Sequence, residues 1–403
     1  MRPFHGRTVL LGVTGGIASY KSAWLARLLT KAGASVDAVL TRSATEFVST
    51  MTFEALTGRS AHTGLFDSGR ALEHITLAKA ADAIVVAPAT ADFLARAATG
   101  QADDLLTAIL LATNAPVLLV PAMNDRMWAH PQTQRNVEHL RGLRYQILNP
   151  EEGMLAAGEG EGPGRMPEPE TIFAHVGRIL EQRGKSALAG RRVVVTAGPT
   201  REAIDPIRFV SNHSSGKMGV AIASSAWRRG ADVSLIAGPL SIGPPTGPEL
   251  RHVETTEQMA GAVEELVPTA DVLIMAAAPA DFRPAVVSKA KIKKGAAPPQ
   301  LALEHTTDIL RATLERRRKN AIVVGFALET ENAIANGRKK LRDKALDLIV
   351  VNDATEQGAG FGVDTNRVTL IDRDGAEEVL PLLSKADVAD AILDRVERLA
   401  SGR

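Results

Sequence analysis

Short apolar runs alternate with longer stretches of helical periodicity along this chain, and that rhythm predicts an α/β architecture. Thr8 to Val13 is an aliphatic run that stops at Thr14-Gly15-Gly16. Ser19 to Ala32 then carries Trp24, Leu25, Leu28 and Leu29 on one helical face, and Gly33 stands where a helix ends. Ser35 to Leu40 is a second run, ending at Thr41-Arg42-Ser43. Strand, glycine turn, helix and strand predict the opening of a doubly wound sheet, whose ligand lies beyond the C-terminal ends of its strands. Ala83 to Val86 runs into Ala87-Pro88-Ala89-Thr90, and Val117 to Val120 into Pro121 to Trp128. Three strands thus end in small or polar residues that can meet at one crevice.

The pattern restarts at Gly190. Arg192 to Val195 echoes the first run, Gly230-Ala231-Asp232-Val233 echoes Gly33-Ala34-Ser35-Val36, and residues 270–276 match 81–87 in style. Predicted strands at Val193 to Val195, Val233 to Ala237, Leu273 to Ala277, Ile322 to Phe326 and Leu348 to Val351 make a second sheet. Two doubly wound three-layer domains are therefore expected, 1–182 and 190–403, joined by a linker at 183–189. Glu151 to Pro169 is so rich in glycine and proline that it reads as a flexible flap or linker. A helix from Glu170 to Gln182 follows it.

Composition narrows the chemistry. The 403 residues have a net charge of +1, which gives no electrostatic reason to expect nucleic acid or an anionic membrane. No cysteine is present, which removes disulfides and thiol nucleophiles and fits a reducing compartment. No apolar run has the length of a signal peptide or membrane span, so a cytoplasmic protein is expected.

The densest polar stretch follows the first strand of the second half, RRVVVTAGPTREAIDPIRFVSNHSSGKMG, residues 191–219. It ends in a Gly/Ser-rich approach to a helix, where free N–H groups and the helix dipole suit a phosphate or carboxylate; an ordinary polar surface loop is the plainer alternative. The first-half turn, GVTGGIAS, lacks the full dinucleotide glycine pattern, and no acidic residue ends the second strand, which favours a mononucleotide phosphate over a nicotinamide cofactor. Ala278 to Pro284 brings Asp281 just ahead of Lys289-Ala290-Lys291-Ile292-Lys293-Lys294. That pairing suggests lysines on a polyphosphate and Asp281 on a metal or sugar. No zinc-type ligand spacing occurs, so any metal is expected to be Mg²⁺ arriving with a nucleotide.

These motifs together resemble the bacterial bifunctional phosphopantothenoylcysteine decarboxylase / phosphopantothenate–cysteine ligase family of coenzyme A biosynthesis. In the first half the resemblance rests on TGGIASYK (14–21), Glu73-His74-Ile75, APAT (87–90), GQADDLL (100–106) and PAMNDRMW (121–128). In the second it rests on AGPTREAIDPIRFVSNHSSGKMG (197–219), AAAPADFRP (276–284), KIKK (291–294), GFALET (325–330) and FGVDTNRV (361–368).

The resemblance implies an N-terminal flavodoxin-like FMN domain that forms trimers and a C-terminal Rossmann-like ligase domain that forms dimers, with a dodecamer as their joint assembly. Gly15, Gly16, Ser19, Ser43, Thr90 and Met123 would bind FMN. His74 matches the active-site histidine, and Asn124 the residue that holds the substrate carboxylate. CTP would activate phosphopantothenate as an acyl-cytidylate, which cysteine then attacks. Arg208 and Lys291 match residues tied to formation of that intermediate, and Asn212 one tied to its turnover. Ala280, Asp281, Phe282, Lys291, Asp308, Phe326, Lys340 and Lys344 would meet CTP, with Asp281 also on Mg²⁺. FMN-dependent decarboxylation then gives phosphopantetheine.

Two residues depart from the family pattern. Ala157 replaces the flap cysteine that donates a proton in the last reductive step, and Asp92 replaces an amide after APAT. The alternatives to a complete bifunctional enzyme are a working ligase fused to a flavoprotein that stops at the enethiol, and a first domain that is a non-catalytic scaffold. A nicotinamide-dependent dehydrogenase is disfavoured by the incomplete glycine turn.

Overall fold

The computed structural model describes residues 2–66, 72–155, 158, 160–182, 186–293, 300–329, 331–353, 360 and 362–401. Ala157, Lys294, Thr330, Phe361 and the first three residues of the expected linker lie outside them. The chain forms two compact units, Met1–Gly184 and Lys185–Arg403.

Unit 1 runs β1 (Thr8–Val13), α1 (Ser19–Lys31), β2 (Ser35–Leu40), α2 (Thr50–Thr57), β3 (Ala61–His62), α3 (Glu73–Ala80), β4 (Ala83–Ala89), α4 (Ala91–Thr99), α5 (Leu105–Ala112), β5 (Val117–Pro121), α6 (Asp125–Ala129), α7 (Pro131–Gly142), β6 (Gln146–Ile147), β7 (Glu151–Met154), β8 (Glu161–Arg165) and α8 (Pro169–Gln182). The main sheet is ordered β3-β2-β1-β4-β5-β6, with every pairing parallel. With the two-residue edge strand β3 set aside, this is the 2-1-3-4-5 order of flavodoxin-like sheets. Parallel strands covered on both faces must be apolar on both, which is why the strands appear in the sequence as unbroken runs. Val9, Leu11 and Val13 pack on one side with Leu25 and Leu29 of α1 and Ile172 and Val176 of α8. Leu10, Ile84 and Val86 pack on the other with Phe93 of α4, Leu105 and Ile109 of α5 and Val137 of α7.

Unit 2 runs β9 (Arg192–Ala197), β10 (Arg201–Ala203), β11 (Phe209–Ser211), α9 (Lys217–Arg228), β12 (Asp232–Ala237), β13 (Glu249–His252), α10 (Thr256–Leu266), β14 (Val272–Met275), β15 (Phe282–Pro284), β16 (Leu303–His305), α11 (Ile309–Ala312), β17 (Ile322–Glu329), α12 (Ala333–Asp343), β18 (Leu348–Asp353), β19 (Thr365–Asn366), β20 (Val368–Asp372), β21 (Glu377–Val379), β22 (Leu383–Ser384) and α13 (Lys385–Ser401). Its sheet is ordered β13-β12-β9-β14-β17-β18-β20-β21. The first six strands are parallel in the Rossmann order, and β20 and β21 extend them antiparallel. One face packs Val193, Val195 and Ala197 on α9 and α13; the other packs Val194 and Ile236 on α10 and α12.

Composition reads 151–169 as a flexible flap or linker; its described part contains an antiparallel hairpin, β7 with β8. Composition reports the freedom of an isolated backbone, whereas here Met123 N–H donates to Gly164 O at 3.0 Å. A Cβ on Gly164 would lie 2.2 Å from Met123 O, so the glycine is what lets the hairpin dock. His74 is the second residue of α3, where Thr76 N–H already bonds Leu72 O at 3.0 Å.

Candidate active sites

In unit 1 the strand order reverses between β1 and β4, and Thr14 ties together the loops beyond their ends. Its hydroxyl donates to Pro88 O at 2.8 Å and accepts from Thr90 N–H at 3.1 Å. Gly15 follows because nothing larger fits: a Cβ there would lie 2.4 Å from the Ser43 Cβ. The Thr41 and Ser43 hydroxyls are 3.1 Å apart. Gly16 faces Thr90 across a looser gap, 3.7 Å from a notional Cβ to Thr90 Cγ2. Ser19, buried at the start of α1, donates through its hydroxyl to Gly16 O at 2.7 Å. Gly15, Gly16, Ser19, Ser43 and Thr90 are thus brought together at one crevice.

Beyond β5, Met123 is held by the hairpin as described, and Asn124 caps α6 by accepting from Arg126 N–H at 2.9 Å. His74 Nδ1 is buried with no hydrogen-bond partner among the described residues. A buried nitrogen left unpaired costs stability, and such atoms collect where a ligand completes the bonding. Asp92, the carboxylate in place of an amide, receives Arg96 Nε at 3.1 Å, one turn along α4. Burial pulls the Arg96 pKa down, but the hydrogen bonds it donates to Asp104 and Asp103 and the charge of Asp92 outweigh it and hold the guanidinium above its ordinary value. Asp92 therefore joins an ion cluster in which Arg96 also meets Asp103 and Asp104.

Unit 2 holds a cavity of about 540 Å³ at the C-terminal ends of its parallel strands. One wall is the start of α9. Gly216 caps that helix in the left-handed region, φ 78°, with no side-chain cap, so first-turn N–H groups are left to a ligand or water. Gly219 permits close helix–strand packing, since a Cβ there would lie 2.5 Å from Ala197 Cβ. A second wall is the Ala276–Asp281 loop. Asn212 Nδ2 donates to Ala278 O at 3.1 Å and Pro279 O at 3.0 Å.

Four lysines line this cavity: Lys217, Lys340, Lys344 and Lys385. Lys340 donates to Phe326 O at 2.7 Å, and Lys344 pairs with Asp308 at 3.0 Å. At α9, Lys217 bonds Gly362 O and the Asp364 carboxylate, both at 2.7 Å, and Lys385 bonds Gly360 O at 3.1 Å. Burial, then the neighbouring Lys344, pushes the Lys340 pKa down; burial, then Lys217, does the same to Lys385. Lysines that depress one another mark a positive potential suited to a polyanion.

Ala280, Asp281, Asp308, Phe326, Lys340, Lys344 and Asn212 all line the cavity. Phe282, Arg208 and Lys291 do not. The Phe282 ring is half exposed, 4.9 Å from the His305 ring. Arg208 forks onto the Asp205 carboxylate and donates to Ile292 O at 2.9 Å, while Ile292 N–H donates to Asp205 at 3.1 Å. This knot anchors the segment that carries Lys291, which is exposed. Lys385, Asn352 and Asn366 also line the cavity; Asn352 follows the predicted strand Leu348 to Val351 and Asn366 falls within FGVDTNRV, whereas no motif marks Lys385. Lys217 had a signal, its place in SSGKMG. Among the described residues no three His, Cys, Asp or Glu side chains cluster as a metal site. Asp281 alone is not a cage, and it fits a cation delivered on nucleotide phosphates.

Comparison with known proteins gives the same division. Residues 188–399 match the family model described as DNA/pantothenate metabolism flavoprotein C-terminal domain, and residues 2–180 match the Flavoprotein model. The coenzyme A biosynthesis bifunctional protein CoaBC of Mycobacterium tuberculosis is 46% identical over 98% of this chain and 97% of its own length. The proteins of the same name from Bacillus subtilis and Vibrio cholerae are 45% and 41% identical, each over 98% of both chains. The solved C-terminal domain of a CoaBC protein shares 40% identity, covering 54% of this chain and all of that one, with a TM-score of 0.47. No helix among the described residues is long and apolar enough to cross a membrane. The chain belongs to the CoaBC family of coenzyme A biosynthesis bifunctional proteins.

Proposed function

We propose that this chain joins cysteine to phosphopantothenate with CTP and then decarboxylates the phosphopantothenoylcysteine formed to phosphopantetheine. Unit 2 carries the ligase and unit 1 the decarboxylase, with domains at 1–182 and 190–403. The observation that carries the reading is the lysine-lined cavity of unit 2, closed on one side by an uncapped helix N-terminus. A carboxylate is a poor electrophile until one oxygen becomes a good leaving group. Transfer of the CMP moiety of CTP to the phosphopantothenate carboxylate achieves this and releases pyrophosphate. Attack by the cysteine amine then releases CMP.

In unit 2, Ala280, Asp281, Phe282, Asp308, Phe326, Lys340 and Lys344 hold the nucleotide, and Asp281 meets the Mg²⁺ that arrives on its phosphates. Lys291 supplies positive charge to the phosphate oxygens as the leaving group forms. Asn212 holds the Ala278–Pro279 turn that faces the acyl-cytidylate.

In unit 1 the Gly15 cradle and His74 Nδ1, unpaired among the described residues, fit a flavin with a substrate beside it. The chemistry that FMN supplies when bound is a reversible two-electron oxidation of the carbon next to the substrate thiol, which gives the departing carboxylate an electron sink. Gly15, Gly16, Ser19, Ser43, Thr90 and Met123 orient it. Asn124 holds the substrate carboxylate, and His74 handles the proton. The reading also carries trimers of unit 1, dimers of unit 2, a dodecameric whole and a cytoplasmic location.

The deciding experiment is mass spectrometry of the product that the full chain with its flavin forms from phosphopantothenate, cysteine, CTP and Mg²⁺. Phosphopantetheine is expected. An enethiol two hydrogens lighter would show that Ala157 removes the last step, and uncleaved phosphopantothenoylcysteine would make unit 1 a scaffold.

A further inference from the structure

Beneath the Ala278–Asp281 loop lies a buried polar chain. Thr200, Glu202 and Thr256 are 0%, 4% and 1% exposed. Ala280 N–H donates to Thr200 Oγ1 at 2.9 Å. The Thr200 and Thr256 hydroxyl oxygens are 2.9 Å apart, and Thr256 Oγ1 donates to Glu202 Oε1 at 2.8 Å. A hydroxyl has one proton to give. Since the Thr256 proton goes to the carboxylate, the Thr200 proton goes to Thr256, and Thr200 is left to accept from Ala280. The donors therefore run one way, from Ala280 through two threonines to a carboxylate that can only accept when ionised.

Glu202 is anchored in turn. Its Oε1 accepts from Thr256 N–H at 2.8 Å, which places a negative charge at the start of the eleven-residue α10. The loop above is tied from its other side as well. Thr306 Oγ1 donates to Ala280 O at 2.6 Å, Thr306 N–H donates to Asp281 O at 3.0 Å, and Ala277 N–H donates to Thr196 Oγ1 at 3.1 Å. Ala280 thus offers a ligand its surface, not its N–H.

We propose that Glu202 is a positioning residue for the nucleotide, acting through Thr256 and Thr200 to fix the loop that presents Asp281 to the cavity. Glu202 does not line the cavity; its effect is transmitted by hydrogen bonds, as a supporting shell holds a site to within fractions of an ångström. The inference rests on the reading of this cavity as the CTP site.

The test measures CTP-dependent pyrophosphate release by the full chain, with kcat and KM for CTP, in wild type, Thr200→Val, Thr200→Ser and Glu202→Ala. Thr200→Val keeps the shape but leaves Ala280 N–H without its acceptor. Its KM for CTP is expected to rise about tenfold with a smaller change in kcat, the factor that corresponds to ~1.4 kcal/mol. Thr200→Ser, which restores the hydroxyl, is expected to return KM to within about twofold of wild type. Glu202→Ala should raise KM at least as much as Thr200→Val, because both hydroxyls lose their direction. A role confined to stability would lower the melting temperature of Thr200→Val and leave its KM unchanged, and that result overturns the proposal. So does Glu202→Ala with a wild-type KM. If Glu202→Ala does not fold, Thr200→Val and its serine rescue decide. Wild type that releases no pyrophosphate with CTP would instead sink the reading of the cavity itself.

Discussion

The two units share a winding but treat their first helix differently. In unit 1, the N–H groups of Ser19 and Lys21 bond Gly16 O and Ala18 O, both at 3.0 Å. The Lys21 amine turns away to Met166 O at 2.9 Å and Glu168 at 3.0 Å. The crevice is left with the glycines at 15 and 16 and the hydroxyls of Thr14, Ser19, Ser43 and Thr90. Neither helix start has a side-chain cap, but in unit 2 Lys217 lines the cavity with three more lysines. One strand–turn–helix scaffold thus makes two chemical environments. A nearly uncharged crevice suits a cofactor that brings its own reactivity and needs orientation, whereas a lysine-lined one suits a polyphosphate whose leaving group gathers charge.

Independence of the two sites is the part of this contrast easiest to break. His74→Asn should lower CO₂ release from phosphopantothenoylcysteine by a factor of about 100 or more, the usual contribution of a positioned acid or base, and leave CTP-dependent pyrophosphate release unchanged. Loss of both activities together would show that the units do not act separately. The reverse perturbation is Asn212→Asp, which replaces a donor to two carbonyl oxygens with an acceptor. Overall ligation should slow about thirtyfold, equivalent to ~2 kcal/mol, while acyl-cytidylate accumulates in quenched reactions read by mass spectrometry. Rapid turnover without accumulation would remove that role from Asn212.

The steric half of the contrast is sharpened by Gly15→Ala against Gly16→Ala. The first forces a methyl into Ser43 and should weaken FMN binding about tenfold in a fluorescence titration, a cost typical of overpacking. The second has room, and equal loss in both would mean that the turn binds flavin for some other reason. The smallest effect concerns pH. Hydrogen bonding to Arg208 leads the causes that hold the Asp205 carboxyl well below the usual carboxylate range. A depressed folded pKa means that Asp205 stabilises unit 2 at neutral pH and that this support is lost as pH falls below about 4. Asp205→Asn should therefore lower the melting temperature at pH 7 by a few degrees, with the gap to wild type narrowing in acid. A gap independent of pH would assign Asp205 a purely steric role.

Much of the fold was legible because burial on both faces of a parallel sheet demands unbroken apolar runs. Thr8–Val13 falls on the residues the pattern predicts, and so does Ser35–Leu40, although Asp37, paired with Arg59, interrupts its apolar run. The hairpin of β7 and β8 was not legible, because its glycines signal freedom until Gly164 meets Met123. Short strands such as β10, β11, β15 and β16, each of three residues, carry too little pattern to stand out. At the site, a motif pointed to Asn212, Asp281 and Lys217. Lys385 carried no such signal, since it enters from the last helix; Glu202 lies in the same motif as Asn212, but only the fold shows that it acts from below a loop.

By itself the sequence determined what is local and additive: the apolar periodicity of two doubly wound sheets, the glycines that permit their turns, and the motifs that mark a flavin crevice and a nucleotide loop. Tertiary structure alone decided what depends on direction and on distant partners. It put four lysines from three helices around one cavity, left His74 Nδ1 without a partner among the described residues, kept Lys291 outside the cavity lining, and set a buried carboxylate at the end of a one-way chain of hydroxyls. A hydrogen bond or a charge acts over a few ångströms, and only folding fixes which residues far apart in the sequence come that close.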